Sequence, residues 1–222
     1  MNWRMTRSVL AASGGCLALL AGPVQAGAAP ASCVDVAREL GAMASADAAL
    51  RGRLDYLAPP EDAGQLRRRD QLALVERSNR TRLAALLAAC GWPLRSVHGV
   101  QAGADAWKLV QHADRDLALQ KTVAPHLARA VRQGEAPARD LARLEDRIAV
   151  AEGKPQPYGT RMRQAAACRR DFHPMEDRAL VEERRQRAGL PTLAEQERME
   201  NGLVIHENCE NQIHQPFAII SK

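Results

Sequence analysis

Apolar residues along this chain recur at spacings of three and four, the period of amphipathic α-helices. Two long segments show the pattern first, and they predict a helix over residues 33–56 and a second over about residues 65–90. Prolines follow the first segment and Gly91 follows the second, so both have a natural end. Because the two helices are similar in length and closely connected, they are expected to pair as an antiparallel hairpin at the amino terminus of the domain.

The rest of the chain shows the same helical period and no run of alternating β-branched residues. The predicted fold class is therefore all-α, a compact helical domain with an N-terminal antiparallel helix hairpin. Four further helices are predicted, and the first of them is expected to be interrupted or kinked at Pro125. They cover residues 104–133, 138–152, 177–188 and 193 to about 201.

The third predicted helix carries polar residues where core residues belong. On a helix of about 100° per residue, Asp116 and Gln120 point into the middle of the apolar arc and His112 lies near its edge. A buried polar group costs about 1–3 kcal/mol when it is unpaired. These side chains therefore either satisfy one another in a structural network or line a pocket, and the sequence does not decide between the two.

His112 and Asp116 are four residues apart on one face, close enough to hydrogen-bond or to share a metal ion. A metal would need a third ligand, which Gln120 would supply poorly, so we predict neither a metal nor a cofactor. In a metal-free pocket, His112 would act as an acid or a base oriented by a carboxylate. The chain has no Gly-x-Ser-x-Gly elbow, and none of its cysteines resembles a catalytic nucleophile paired with a histidine, which disfavours classical serine and thiol hydrolases.

The first residues have the composition of a secretory signal peptide. Arg4 and Arg7 form a basic start, an apolar run of small residues follows, and a small-x-small cleavage site ends at Ala26. The apolar run is short for a membrane span, which needs about 20 apolar residues. We expect residues 1–26 to be removed, leaving residues 27–222 as a single helical domain without a stable membrane span, in the periplasm or secreted.

Four cysteines would remain after this cleavage, and an even count in an exported protein favours two disulfides. The predicted hairpin brings the start of its first helix beside the end of its second, which places Cys33 against Cys90. By elimination, Cys168 pairs with Cys209. Each bond is expected to stabilise the fold by about 3–4 kcal/mol.

Charge and composition limit the partners of the chain. Removal of residues 1–26 would lower the net charge from +5 to +3, and the aromatic content is 3%. Basic clusters such as Arg67-Arg68-Arg69 and Arg184-Arg185 are interleaved with acidic residues, so the sequence shows neither a basic stripe nor stacking platforms. We expect no binding of nucleic acid, and a small polar ligand or a protein partner instead.

A set of short motifs follows one another between residues 111 and 160. They are Gln111-His112-Ala113-Asp114 with Asp116 and Gln120, then Asp146-Arg147, then Gln156 with Tyr158-Gly159-Thr160. The combination resembles a family of bacterial proteins of unknown function that is recognised by Gln-His-Ala-Asp, Asp-Arg and Tyr-Gly-Thr-Gln segments. The resemblance covers about residues 79–190 and implies no reaction.

Two residues depart from the pattern of that family. Arg161 stands where the loop motif ends in glutamine, and Leu117 stands where proline often follows the second aspartate. The second departure leaves two alternatives open, because Asp116 either continues the third helix or caps a new one.

Our hypothesis is that the three motif segments converge on one polar pocket that binds or hydrolyses a small polar or anionic ligand. Arg147 lies at the margin of the apolar stripe of its helix, where it would hold an anion, while Asp146 points away from the stripe. His112 and Asp116 would position the ligand or transfer a proton. The remaining pocket residues would be Gln111, Asp114, Gln120, Asp146, Gln156 and Tyr158.

The alternative is a non-enzymatic interaction protein of the cell envelope, of the inhibitor, immunity or scaffold type. In such a protein the polar motifs would only fix the fold. The sequence does not decide whether the protein is an enzyme.

Overall fold

The computed structural model describes residues 33–55, 59, 61–114, 116–166 and 169–207. Within these ranges the chain forms seven α-helices and one two-stranded antiparallel sheet. In chain order they are α1 Val36–Arg51, α2 Ala63–Cys90, α3 Arg95–His112, α4 Leu117–Arg132, α5 Ala138–Ala151, β1 Met162–Ala166, β2 Arg169–Phe172, α6 Arg178–Ala188 and α7 Leu193–Glu207. The predicted signal peptide and the second predicted cysteine pair, Cys168 and Cys209, lie outside the described residues.

The N-terminal hairpin is present as predicted. Helices α1 and α2 pack against each other, and a disulfide joins Cys33, just before α1, to Cys90 at the end of α2, with their Cα atoms 5.6 Å apart. The carboxylate of Asp62 accepts a hydrogen bond from the backbone N–H of Gln65 at 2.7 Å and so caps the start of α2. The Cys33–Cys90 pairing predicted from the hairpin is confirmed.

The main core lies between the hairpin and helices α3, α4 and α5. Helix α3 packs along α1, and α4 packs against both α2 and α5. Because apolar side chains on one face of each helix meet in the middle, they leave solvent together. The fully buried members of this core include Val36, Leu40, Leu83, Leu86, Leu87, Val110, Val123, Leu127 and Leu144.

The prediction of one helix over residues 104–133 was wrong. The segment belongs to two helices, α3 and α4, which are separated at residues 113–116. The side chain of Asp116 accepts a hydrogen bond from the N–H of Leu119 at 2.9 Å, so this residue caps a new helix. The chain is interrupted there rather than at Pro125, which lies inside α4.

The fold is mostly helical, as predicted, but it also contains a small β-hairpin. Strands β1 and β2 pair in antiparallel register, with Met162 opposite Phe172 and Arg163 opposite Asp171. The residues of β1 are largely exposed on both faces. A strand without a buried face has no alternation of apolar and polar residues, so the sequence pattern did not reveal it.

We also compared the helices with the length and hydropathy needed to cross a lipid bilayer. In the described part of the chain, no helix is both long and apolar enough to do so.

Candidate functional site

A polar cleft of about 770 Å³ opens where α1, α2 and the α3–α4 turn meet. Helix α1 contributes Arg51 and α2 contributes Glu76 and Arg80, while the motif Gln111-His112-Ala113-Asp114 forms the opposite wall together with Asp116. The cleft therefore contains the first of the three motifs that the sequence singled out. Its volume is in the range typical of small-molecule sites.

At the base of this cleft His112 contacts a buried carboxylate. The Nδ1 atom of His112 lies 2.5 Å from Oδ2 of Asp47, which comes from α1, 65 residues away in sequence. The side chain of Asp47 is 1% exposed and that of His112 is 29% exposed. One end of the imidazole is thus held in the protein interior while the ring itself lines the cleft.

Arg51 lies beside both members of this pair, and the short contact with Asp47 shows which ring nitrogen of His112 carries the proton. The Nε atom of Arg51 lies 3.0 Å from Oδ2 of Asp47 and 3.1 Å from Nδ1 of His112. Since the short contact between Nδ1 and a carboxylate needs a proton between them, we assign the N–H to Nδ1 and direct the Arg51 donor to Asp47. In the neutral ring Nε2 then carries the lone pair.

One oxygen of the buried carboxylate keeps its hydrogen-bonding capacity. Oδ1 of Asp47 is buried and accepts no hydrogen bond from a described residue. A small pocket of about 10 Å³ adjoins the cleft and is lined by Asp47, Asn79 and His112. This volume is about the minimum that a single water molecule needs.

The other two polar residues of the predicted inward arc, Asp116 and Gln120, make different contacts from each other. The helical wheel therefore fails beyond Asp116. Asp116 caps α4 and also lies 3.3 Å from Nε of Arg80 across the cleft. Gln120 is fully buried and donates from Nε2 to the carbonyl oxygens of Ala113 and Asp114, at 3.2 and 3.1 Å. Gln120 thus supports the end of α3 and does not line the cleft.

The second motif joins the cleft to the C-terminal half of the chain through Asp114. The carboxylate of Asp114 pairs with Arg147 of α5 and lies 3.4 Å from Nη2 of Arg161. The side chain of Arg147 is 12% exposed. Arg147 is therefore engaged beneath the turn, outside the set of residues that line the cleft.

Asp146 was predicted to point away from the core, and this was wrong. It is fully buried, and its two oxygens accept hydrogen bonds from the backbone N–H groups of Tyr158, at 2.8 Å, and Thr160, at 2.5 Å. Arg185 holds the same turn from the other side, because its Nη1 donates to the carbonyl oxygens of Tyr158 and Gly159 at 2.7 and 3.0 Å. Asp146 and Arg185 thus hold the loop motif by hydrogen bonds from two sides.

Gln156 closes this loop. Its Oε1 accepts from the N–H of Arg161 at 2.7 Å, and its Nε2 donates to the carbonyl oxygens of Arg161 and His173, both at 3.1 Å. Every hydrogen-bonding group of this buried amide side chain is therefore used within the fold. The loop thus brings together Gln156, Asp146 and the backbone of Tyr158. These three are not among the residues that line the cleft.

The sequence of the chain matches a known protein family. The model of a family of unknown function, DUF6624, matches residues 34–204. The chain belongs to DUF6624. The predicted membership in a family of unknown function is thus confirmed, and the match extends on both sides of residues 79–190. No curated protein and no solved structure matched the chain.

The region that matches DUF6624 includes two site residues that sequence reasoning missed, Asp47 and Arg185. Asp47 is the seventh residue after Leu40 and the fourth after Met43, so it falls on the buried stripe of α1. In the same way, Arg185 follows the buried Val181 by four residues in α6. A charged residue on an apolar stripe is a signal of a buried partner, and both positions carried it.

Burial shifts the pKa values around the loop of this DUF6624 chain. It raises the pKa of Asp146, although the N–H groups of Thr160 and Tyr158 oppose the shift. Burial, followed by the charge of Arg161, lowers the pKa of Arg147 to about 10, so its guanidinium remains protonated at neutral pH. The pKa of Tyr158 is raised by burial and then by the nearby Glu145.

We also looked for groups of side chains that could hold a metal ion. Across the described ranges, no three residues of the types histidine, cysteine, aspartate and glutamate are placed to do so.

Proposed function

We propose that the protein is an acid–base enzyme that acts on a small polar molecule bound in the cleft of Arg51, Arg80 and His112. The observation that carries the proposal is the contact of 2.5 Å between Nδ1 of His112 and the buried Asp47. A carboxylate that holds one ring nitrogen makes the other available as a base. The side chain of His112 is 29% exposed and lines the cleft.

The groups present support a hydrolytic step. Nε2 of His112 would take a proton from a water molecule as its oxygen attacks the ligand, and would return that proton to the leaving group as the bond breaks. The buried carboxylate of Asp47 would stabilise the imidazolium between these two transfers. Arg51 donates a hydrogen bond to the same oxygen of Asp47, at 3.0 Å, and so helps to hold this carboxylate in place.

The charges of the cleft support a polar ligand without a large net charge. Arg51 pairs with Glu76, and Arg80 pairs with Asp116, so cations and carboxylates alternate around the opening. Arg80 and Asp116 are 30% and 35% exposed and 3.3 Å apart, which is loose enough for both to turn toward a ligand. In this proposal Arg80 and Asp116 position the ligand beside His112, whereas Arg147 supports the wall through Asp114.

A panel of polar metabolites and chromogenic esters, amides and phosphodiesters tests this proposal by thermal shift and turnover. We expect compounds that stabilise or are cleaved by the wild type to lose that effect in His112→Ala and Asp47→Asn. General acid–base groups contribute about 10²–10⁴-fold to a rate. His112→Ala itself should cost less than about 1 kcal/mol of stability, because Arg51 still pairs with Asp47.

The matched control is His126→Ala, which removes a partly buried histidine that does not line the cleft. In addition, ring nitrogen NMR of neutral His112 should show the proton on Nδ1 in the wild type and on Nε2 in Asp47→Ala. A panel that responds equally to wild type and His112→Ala would contradict the catalytic proposal. It would leave the alternative of a non-enzymatic interaction protein of the cell envelope.

We further propose that the protein acts outside the cytoplasm, in the periplasm or beyond. The disulfide between Cys33 and Cys90 supports this location, since such bonds persist in oxidising compartments. Intact-mass measurement of the protein from its native cells should give a chain that begins at Gly27. A full-length chain in the cytoplasm would contradict the proposal, whereas a lipid-modified Cys16 would contradict only the cleavage after Ala26.

A further inference from the structure

A second cleft, of about 580 Å³, lies along the other side of α3 and faces the α4–α5 turn. Trp92 and Trp107 form part of its wall, and Gly103 and Ala104 of α3 form another part. Both tryptophans are more than nine-tenths buried in the main core, so their positions are fixed. The cleft is thus a preformed space of ligand size, with apolar residues on one part of its wall and charged residues on another.

The open space of this cleft is not required for packing of the fold. A Cβ atom at Gly103 would meet the carbonyl oxygen of Pro93 at 3.8 Å and Nε1 of Trp92 at 3.9 Å, which are ordinary contact distances. A larger residue on this face of α3 could therefore be accommodated, and it would take space from the cleft. The small residues leave room for a molecule that is not part of the chain.

The charged groups at the rim show which kind of molecule the cleft suits. The two oxygens of Glu135 accept from the N–H and the hydroxyl of Ser96, at 2.9 and 2.8 Å, and the mostly buried Asp140 lies 3.7 Å from Arg143. Both carboxylates thus have partners. Among the residues that the structure describes, Arg95 and Arg139 have no carboxylate within the 4.0 Å of an ion pair, and Nη2 of Arg95 donates to the carbonyl oxygen of Gly134 at 2.8 Å.

We propose that this cleft binds an apolar monocarboxylate, with its hydrocarbon group beside Trp92 and Trp107 and its carboxylate at Arg95 and Arg139. Arginine suits a carboxylate because its planar guanidinium can donate two parallel hydrogen bonds. Gln111 lines both clefts, whereas His112 lines the first cleft and not this one. The binding proposed here does not rest on the proposed acid–base function.

Titration of the full chain with 3-phenylpropionate, with 3-phenylpropionamide and with octanoate tests the proposal. Calorimetry gives the affinities, and the indole N–H signals of Trp92 and Trp107 give the location. We expect at least one acid to bind and to shift both indole signals, and 3-phenylpropionate to bind about tenfold more tightly than its amide, the effect of one charge-assisted contact. Arg139→Gln should remove most of that difference, and Ala104→Leu should weaken both compounds by filling the cleft.

Matched controls are Arg178→Gln and Ala85→Leu, which change exposed residues of α6 and α2 outside the cleft, and His112→Ala, which should leave the affinities unchanged. The stronger of the two acids identifies the hydrocarbon group as aryl or acyl. Equal affinity of acid and amide, binding without the indole shifts, or failure of both acids to bind would each overturn the proposal. None of these results would bear on the acid–base site, whose test uses His112 and Asp47.

Discussion

Replacement of Arg185 by methionine is expected to lower the free energy of unfolding by about 3–5 kcal/mol, the cost of breaking a buried charged network. Arg185 is fully buried and donates to four oxygens at 2.7 to 3.0 Å: the carbonyls of Tyr158, Gly159 and Pro191 and the side chain of Gln196. Methionine fills a similar volume but leaves all four acceptors without this donor. Urea denaturation of the purified protein measures the loss.

Arg187→Met is the matched control, because it makes the same change two residues later on α6. Arg187 is 67% exposed and pairs with Glu183 at 3.4 Å, so its removal should cost about 0.5 kcal/mol or less. Arg185→Lys should fall between the two, since lysine keeps the charge but cannot reach four acceptors with a fork. Equal stability of Arg185→Met and Arg187→Met would show that Arg185 does not hold the loop.

The second large effect is expected from the disulfide. Joint replacement of Cys33 and Cys90 by serine should lower the free energy of unfolding by about 4 kcal/mol in the chain-entropy model, because the bond closes a loop with a sequence separation of 57 residues. The loss should also loosen the contact between the start of α1 and the end of α2. Thermal or urea unfolding under non-reducing conditions measures it.

The same measurement on the double variant Cys168→Ser with Cys209→Ser addresses the second predicted bond. We expect about 3–4 kcal/mol if these cysteines pair, and peptide mapping without reductant should recover a peptide linking them. The control for the first bond is the single variant Cys33→Ser. It should be as unstable as the double variant of Cys33 and Cys90, since one serine already breaks the bond. Free thiols at Cys33 and Cys90 in folded wild-type protein would contradict the pairing seen in the structure.

Local patterns account for what could be predicted. The helical period of the apolar residues, with Gly91 at the end of α2, predicted the hairpin, and the hairpin predicted the disulfide between Cys33 and Cys90. The sequence also singled out His112 as a polar residue at the edge of the apolar arc, and its motifs indicated membership in a family of unknown function. These inferences need only neighbours within a turn or two of helix, or a short connection between two helices.

The helical wheel could not predict the break at Asp116, because periodicity continues across a capped turn. Apolar residues on α3 and α4 face the same core, so their spacing resembles that of one helix. The non-helical backbone at Ala113 and Asp116 and the hydrogen bond from Leu119 to Asp116 distinguish the two arrangements. The assignment of Gln120 to the same pocket as His112 depended on that single helix, and its side chain instead donates to the carbonyls of Ala113 and Asp114, just after α3.

The sequence by itself determined the helical fold class, the N-terminal hairpin and its disulfide, because each depends on contacts close along the chain or across one short connection. Tertiary structure alone decided which carboxylate meets His112, since Asp47 lies 65 residues away on α1, and which cation meets the loop at Tyr158, since Arg185 comes from α6. A buried charge is tolerated only where an opposite or hydrogen-bonding group is packed against it. Its partner is therefore set by how whole helices pack, which no local period of the sequence encodes.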